Sequence, residues 1–117
     1  TVLDGQSGLF SIINSFVSIQ NSDFPHQYKL YQAYPNPFNP VTSLSYDLPN
    51  DGMVKITVHN MMGRVVKTLV NGSQTAGFKS VQWNATNNRN EPVSAGLYLY
   101  TIQAGEFRQT KKMVLLK

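Results

Sequence analysis

Residues that could do chemistry are few and widely spaced in this chain. It has two histidines and no cysteine, so thiolate catalysis, disulfides and cysteine-ligated metals are excluded. His26 follows a proline in a linker-like stretch. His59 lies on the polar side of an alternating segment, where a solvated residue is far commoner than a general base. The carboxylates stand singly, mostly at turns: Asp4, Asp23, Asp47, Asp51, Glu91 and Glu106. Since no acids are spaced as partners and no nucleophile or phosphate-loop motif occurs, the sequence predicts a protein that is not an enzyme and has no cofactor.

One loop has the oxygen atoms that a metal ion needs. The stretch WNATNNRNEP contains Asn84, Asn87, Asn88, Asn90 and Glu91, and amide and carboxylate oxygens are calcium ligands. Only one of these ligands would be charged, and asparagine is a common turn residue. The sequence therefore favours a polar turn and predicts no metal, with weak calcium binding in the 84–91 loop as the alternative.

Aromatic residues are abundant, with six tyrosines, six phenylalanines and one tryptophan. A row of exposed aromatic rings would indicate a carbohydrate-binding face. Trp83, Tyr98 and Tyr100, however, share their side of alternating segments with aliphatic residues, which favours core packing.

The sequence pattern around these residues predicts β-strands. Apolar residues alternate with polar ones, as in Val54, Ile56 and Val58, and the segments are rich in β-branched and aromatic residues. The predicted strands are 28–33, 42–48, 52–60, 64–70, 77–84, 96–104 and 106–116. This spacing predicts an all-β fold, an immunoglobulin-like antiparallel β-sandwich of about seven strands, although the Cys…Trp…Cys signature is absent. Asn50-Asp51-Gly52 is interpreted as a tight hairpin and Asn71-Gly72 as a second turn.

The amino-terminal residues differ from the rest. Residues 1–24 are expected to be the remnant of a preceding domain or an added strand plus a linker, and residues 25–117 the domain itself. Because the chain starts at Thr1 without a signal-peptide pattern, we expect it to be part of a longer precursor.

Positive charge is concentrated at the carboxyl end. The formal net charge is +4, and the last ten residues contain Arg108, Lys111, Lys112 and Lys117 without an acid. A nucleic-acid partner would be one explanation, but no reading motif accompanies the charges. A solvated edge strand, on which lysine prevents aggregation, is the favoured interpretation.

Five sequence blocks occur in an order that resembles one known family. They are LYQAYPNPFNPVTSLSYDLP, VKITVHNMMGRVVKTLV, AGFKSVQWN, SAGLYLYTIQAG and KKMVLLK. Together they resemble the type IX secretion system C-terminal sorting domain (type A; Por secretion system) of Bacteroidetes, over about residues 28–117. The middle blocks are also similar to the immunoglobulin-like domain of the flagellar hook-capping protein. The chain departs from the pattern at Trp83-Asn84-Ala85, where relatives often have Trp-Asp-Gly, and at Asn60, where they often have Asp.

The resemblance implies a non-catalytic address label on a cargo protein that is secreted or held at the cell surface after crossing the periplasm. The implied partners are the outer-membrane translocon, its shuttle protein, a sortase-like peptidase and the attached upstream cargo, with no nucleic acid. The implied recognition residues form the terminal segment (residues 111–117): Lys111, Lys112, Met113, Val114, Leu115, Leu116 and Lys117. The implied residues of the proline motif (residues 35–40) are Pro35, Asn36, Pro37, Phe38, Asn39 and Pro40. Those with structural roles are Gly63, Trp83, Gly96 and Tyr98.

The terminal segment and the proline motif are expected to have separate roles. The terminal strand is expected to present a basic free edge that adds to a partner's sheet or forms an edge-strand dimer. Its removal is expected to leave the domain folded. The proline motif is expected to be a stiff spacer whose asparagines bond local backbone. Two other functions stay open: a structural accessory domain of an extracellular multidomain enzyme, and a carbohydrate-binding module.

Overall fold

Two antiparallel β-sheets form the fold, in a computed structural model that describes residues 24–116. The three-stranded sheet has the order β1-β2-β5 and the four-stranded sheet the order β4-β3-β6-β7. The strands are β1 (Lys29–Leu30), β2 (Thr42–Leu48), β3 (Gly52–His59), β4 (Val65–Gln74), β5 (Gly77–Trp83), β6 (Gly96–Ala104) and β7 (Phe107–Leu115). The predicted all-β sandwich is confirmed. Residues 24–116 contain no helix long and apolar enough to cross a membrane.

Alternating side chains of both sheets build one core. Leu44 and Tyr46 of β2 are buried, as are Ile56 of β3 and Tyr100 of β6. The intervening residues of these strands point away from the core, because successive side chains in a strand lie on opposite faces. Trp83 is 1% exposed, so its predicted place in the core is confirmed.

Two predicted turns are not turns between paired strands. Asn50-Asp51-Gly52 joins β2 to β3, which lie in different sheets, so the predicted hairpin is wrong. Asn71-Gly72 lies inside β4, where the two residues pair with Lys55 and Val54. β4 therefore extends four residues beyond its predicted end at residue 70. The chain turns at residues 75–76 instead, where the Asp51 carboxylate accepts the N–H of Ala76 at 2.8 Å.

The turn between β3 and β4 contains Gly63, for which the resemblance implied a structural role. Gly63 has a φ of +85°, a backbone conformation that glycine adopts more readily than any residue with a Cβ. The Asn60 side-chain oxygen accepts the N–H groups of Met62 at 2.9 Å and Arg64 at 3.0 Å. An amide oxygen thus does in this turn what an aspartate carboxylate could do, which explains how Asn60 replaces the acid of the resembled pattern.

Candidate functional site

The proline motif lies against the terminal strand, which brings together the two segments that the sequence singled out. The Asn36 side-chain oxygen accepts the N–H of Val114 at 2.9 Å. The N–H of Phe38 donates to the carbonyl of Val114 at 2.9 Å, and the N–H of Leu116 donates to the carbonyl of Phe38 at 2.8 Å. Just before the motif, the Gln32 side-chain amide donates to the carbonyl of Lys112 at 2.7 Å. These bonds occupy the outer edge of β7 from residue 112 to residue 116.

The side chain of Phe38 fixes this arrangement. It is 2% exposed, and its ring centroid lies 5.7 Å from that of Trp83 at an interplanar angle of 57°. Trp83 in turn meets Tyr98 edge to face at 5.2 Å. Tilted aromatic contacts of this kind add to the stabilisation from burial. The prediction that the motif is a stiff spacer is therefore wrong, because its central residue is part of the core.

The prediction that the asparagines of the proline motif bond local backbone is wrong for Asn36. Asn36 does not bond local backbone but a strand 78 residues later. The local bond comes from Thr42, whose buried hydroxyl donates to the carbonyl of Pro35 at 2.7 Å. The peptide bonds before Pro35, Pro37 and Pro40 are cis.

The rest of the β7 edge is open. The even-numbered residues of β7 direct their backbone N–H and C=O groups away from β6. This direction is shown by the bonds of Lys112, Val114 and Leu116 to Gln32 and the proline motif. The β6–β7 register has no bulge, so the N–H and C=O of Arg108 and Thr110 and the N–H of Lys112 face the same way. Within residues 24–116 these groups have no hydrogen-bond partner. The free edge (residues 108–112 of β7) is thus shorter than the sequence predicted.

The side chains of the terminal segment divide between the two faces of β7. Met113 and Leu115 are 0% and 1% exposed and belong to the core. Lys112 and Leu116 are exposed, and Lys111 and Val114 are half-buried. Lys117 lies outside the described residues. Among residues 111–116, Lys111, Lys112, Val114 and Leu116 therefore have side-chain surface that a partner could contact without unfolding the domain.

The aromatic residues considered for carbohydrate binding are not available for it. Trp83 donates its ring N–H to the carbonyl of Thr86 at 2.9 Å, and Tyr98 donates its hydroxyl to the carbonyl of Ser94 at 2.6 Å. Tyr100 is 0% exposed, and its hydroxyl accepts the N–H of Ala33 and donates to the carbonyl of Tyr31. Burial raises the pKa of Tyr98 and Tyr100 above the ordinary value.

A second group of aromatic residues is exposed, and the sequence did not reveal it. Tyr34 is 81% and Phe78 59% exposed, and with Tyr31 they line a shallow groove on the outside of the three-stranded sheet. The Tyr31 hydroxyl donates to Asp47 at 2.6 Å, which raises the pKa of Tyr31. The signal that could have placed Phe78 was the alternation of β5, because Phe78 has the parity of the outward Ser80 and not that of the buried Trp83.

The asparagine loop uses its oxygens internally. The Asn87 side-chain oxygen accepts the N–H groups of Arg89 and Glu91, and the Asn87 amide donates to the Glu91 carboxylate at 3.0 Å. The Lys67 ammonium donates to the carbonyl of Asn87 at 3.2 Å and to the Asn90 side chain at 2.9 Å. Across residues 24–116, no three histidine or carboxylate side chains lie close enough to hold a metal ion. A lysine ammonium thus occupies oxygen ligands that calcium would require.

Comparison with known proteins gives one family and a shared fold. A family model described as the FlgD Ig-like domain matches residues 40–106. A search of curated protein sequences found no match. Among solved structures, dimeric latent PorU from Porphyromonas gingivalis superposes with a TM-score of 0.60 at 17% identity, over 74% of this chain and 9% of that one. PorZ, a surface component of the type-IX secretion system of Porphyromonas gingivalis, superposes with a TM-score of 0.53 at 16% identity, over 75% of this chain and 11% of that one.

These two structures are much longer than the present chain, which spans about a tenth of each. At such low identity the likeness shows a shared fold. The family match ends at residue 106, so β7 lies beyond it, as does most of the proline motif.

Proposed function

The chain belongs to the FlgD Ig-like domain family, whose model covers residues 40–106 of its 117 residues, and we propose that it acts as a non-catalytic sorting domain for type IX secretion. In this proposal an attached cargo is directed through the periplasm to the cell surface or the medium. The fold shared with PorZ, a surface component of that secretion system, agrees with the proposal. So do the proline motif and the basic terminal strand, which lie largely outside the family match and resemble the sorting domain.

The observation that carries the proposal is the free edge of β7. A strand with unpaired N–H and C=O groups is a template for an added strand from another chain. Here the open backbone groups belong to Arg108, Thr110 and Lys112, and the first and last of these have exposed basic side chains. An extended acidic segment fits this edge, because backbone bonds would supply affinity and the charges would select the partner.

The proposed partners are the translocon and the shuttle protein of the secretion system, which would meet this edge. A sortase-like peptidase would act on the chain before Lys29, because from β1 onward the segment is paired with β2 and then bonded to β7. Removal of the domain after transport would then leave the sandwich and its proline motif together.

Deleting residues 111–117 is not a clean test of this proposal. The deletion removes Met113 and Leu115 from the core, and losing such a side chain costs about 2–5 kcal/mol each. It also removes the strand to which Phe38 is bonded. The expectation that the truncated domain stays folded therefore conflicts with the structure, and surface substitutions are the better experiment.

The test is secretion of a reporter fused to the full chain, in a host with the type IX system. Arg108→Glu with Lys112→Glu reverses the charge at the free edge, and the secreted fraction should fall about tenfold, the effect of about 1.4 kcal/mol in binding. Arg64→Glu with Arg89→Glu changes the net charge equally at exposed turn and loop positions and should be secreted like wild type. Equal secretion of both double variants would contradict recognition through this edge.

A second pair of variants separates the backbone from the charges. Thr110→Pro removes an outward N–H that has no partner within residues 24–116, and proline is tolerated on edge strands at such positions. Thr110→Val removes only the hydroxyl. Secretion should be lost with proline and kept with valine, while urea unfolding of the purified proteins shows that both are folded.

A structural accessory domain is the second candidate function. It is favoured by the bonds of Gln32, Asn36 and Phe38 to β7, since a bonded segment holds a preceding domain at a fixed place. In that case no variant of the free edge changes secretion, and the reporter fused to the domain is not exported by the type IX system.

A further inference from the structure

The outside of the four-stranded sheet carries rows of polar residues that only the strand register brings together. Thr57 pairs with Thr68 on one side and Thr101 on the other, and Thr101 pairs with Thr110. Four threonines from four strands thus form one row. In the next row Lys55 pairs with Gln103, which pairs with Arg108.

A pocket of about 190 Å³ lies over these rows. Its lining includes Lys55, His59 and Arg108, with Thr57, Thr101 and Gln103 between them. The outward positions of β3, β4, β6 and β7 contain no aspartate or glutamate. The nearest acid in sequence is Glu106, in the exposed turn between β6 and β7. The pocket therefore has positive charge on opposite sides without a carboxylate on the sheet to neutralise it.

The floor of the pocket has an unused hydrogen-bond donor. Thr57 is 8% and Thr101 7% exposed. The Thr101 hydroxyl lies 2.8 Å from that of Thr110. The Thr57 hydroxyl, although buried, has no hydrogen-bond partner within residues 24–116. Because Thr57 lines the pocket, its hydroxyl is free to donate its proton to a ligand that accepts a hydrogen bond there.

We propose that this pocket binds one oxyanion group, a phosphate, sulfate or carboxylate. Arg108 supplies a planar pair of donors that suits such groups, and Lys55 supplies a point charge from the other side. Thr57 and Gln103 donate from the floor. The pocket holds one such group and opens to solvent, so the group would be either a small free anion or a substituent of a larger acidic molecule. This inference does not depend on the sorting function.

The test is a titration of the ¹⁵N-labelled full chain, followed by NMR at constant ionic strength, with sodium phosphate, sodium sulfate or sodium acetate against sodium chloride. Saturable shifts are expected at the amides of Lys55, Thr57, Thr101 and Arg108, with a Kd in the millimolar range, which is typical of about −4 kcal/mol of binding. The anion that binds tightest identifies the group. Polygalacturonate, a polymer of carboxylates, should bind tighter than acetate if the natural ligand is an acidic polymer, and no tighter per carboxylate if it is a small anion.

Three variants distinguish a built site from general attraction to a basic protein. Lys55→Gln with Arg108→Gln should weaken binding at least tenfold, whereas Arg64→Gln with Arg89→Gln, which removes the same charge elsewhere, should change it less than twofold. Thr57→Val keeps the charge and shape and should weaken binding about fivefold. Shifts that do not saturate, or equal effects of the two double variants, would overturn the proposal.

Discussion

Replacing Phe38 with alanine tests whether the proline motif is part of the fold. The ring is buried between the two sheets beside Trp83, and the backbone of the same residue makes two bonds to the terminal strand. If the motif were a spacer, shortening this side chain would leave the domain as stable as before. The structure predicts a large loss.

The expected loss follows from the buried area. A phenylalanine side chain buries about 150–250 Å², which at about 25 cal/mol per Å² corresponds to about 4–6 kcal/mol. Alanine retains a small part of this burial, and measured Phe-to-Ala changes in cores are about 3–5 kcal/mol. We therefore expect the free energy of unfolding to fall by about 3–5 kcal/mol, a large part of the about 5–15 kcal/mol of a typical domain.

The assay is urea unfolding of the full chain, followed by the fluorescence of Trp83, with circular dichroism as a second probe because the substitution is close to that ring. Tyr34→Ala is the matched control, since Tyr34 adjoins the same motif but is 81% exposed, and it should change stability by less than about 0.5 kcal/mol. A loss below about 1 kcal/mol for Phe38→Ala would show that the motif does not contribute to the core and would restore the spacer interpretation.

A turn glycine, a buried hydroxyl and the ionisation of buried tyrosines can be tested by the same unfolding assay. Gly63→Ala should cost about 1–2 kcal/mol because its φ is +85°, whereas Gly52→Ala, also in open space but without a positive φ, should be nearly neutral in the same urea assay. Tyr100→Phe leaves the buried N–H of Ala33 without its acceptor and should cost about 1–3 kcal/mol; an unchanged urea midpoint would contradict that bond. Burial raises the pKa of Tyr46 and Tyr100, so the folded state holds these protons more tightly than the unfolded state. Stability is then full below about pH 10 and falls as the pH rises above it, and urea midpoints measured from pH 8 to 11 should decline less in Tyr100→Phe than in wild type.

The sequence predicted the strands well where period-two alternation is strict. β2 and β6 have their predicted bounds, and β5 ends one residue earlier. In these strands every second residue enters the core, so the hydrophobic pattern alone determines the face and nearly the ends. The first strand, predicted for 28–33, is a regular strand only at Lys29–Leu30. The segment stays beside β2, since Tyr31 and Tyr34 bond to Ser45 and Ser43, but between them Ala33 donates its N–H to Tyr100 of the opposite sheet, which interrupts the regular ladder.

The failures arose where distant contacts overrode local signals. Asn71-Gly72 is a strong turn pair by itself, yet its pairing with Lys55 and Val54 keeps it extended. The proline motif gave no local sign of docking, because its partner Val114 lies 78 residues away. Composition explains the stiffness of such a segment but cannot show which surface it will meet.

The candidate sites also depend on contacts between distant residues that the sequence does not reveal. The terminal segment was found by its charges, but the burial of Met113 and the bonds that cover part of its edge needed the fold. The oxyanion pocket combines Lys55, Gln103 and Arg108, whose neighbourhood depends on the register of three strands. Sequence indicated that β3 has a polar face, but not which residues of β6 and β7 lie beside it.

Whether this domain directs cargo through the type IX system can be measured by fractionating cells that express a reporter with its own Sec signal fused to the full chain. The host should be compared with an otherwise identical strain that lacks the outer-membrane translocon, and a known sorting domain should be run as the positive control. For a sorting domain, we expect the reporter at the cell surface or in the medium of the first strain and in the periplasm of the second. Reporter in the periplasm of both strains, with the control secreted normally, would contradict the sorting function and favour an accessory domain.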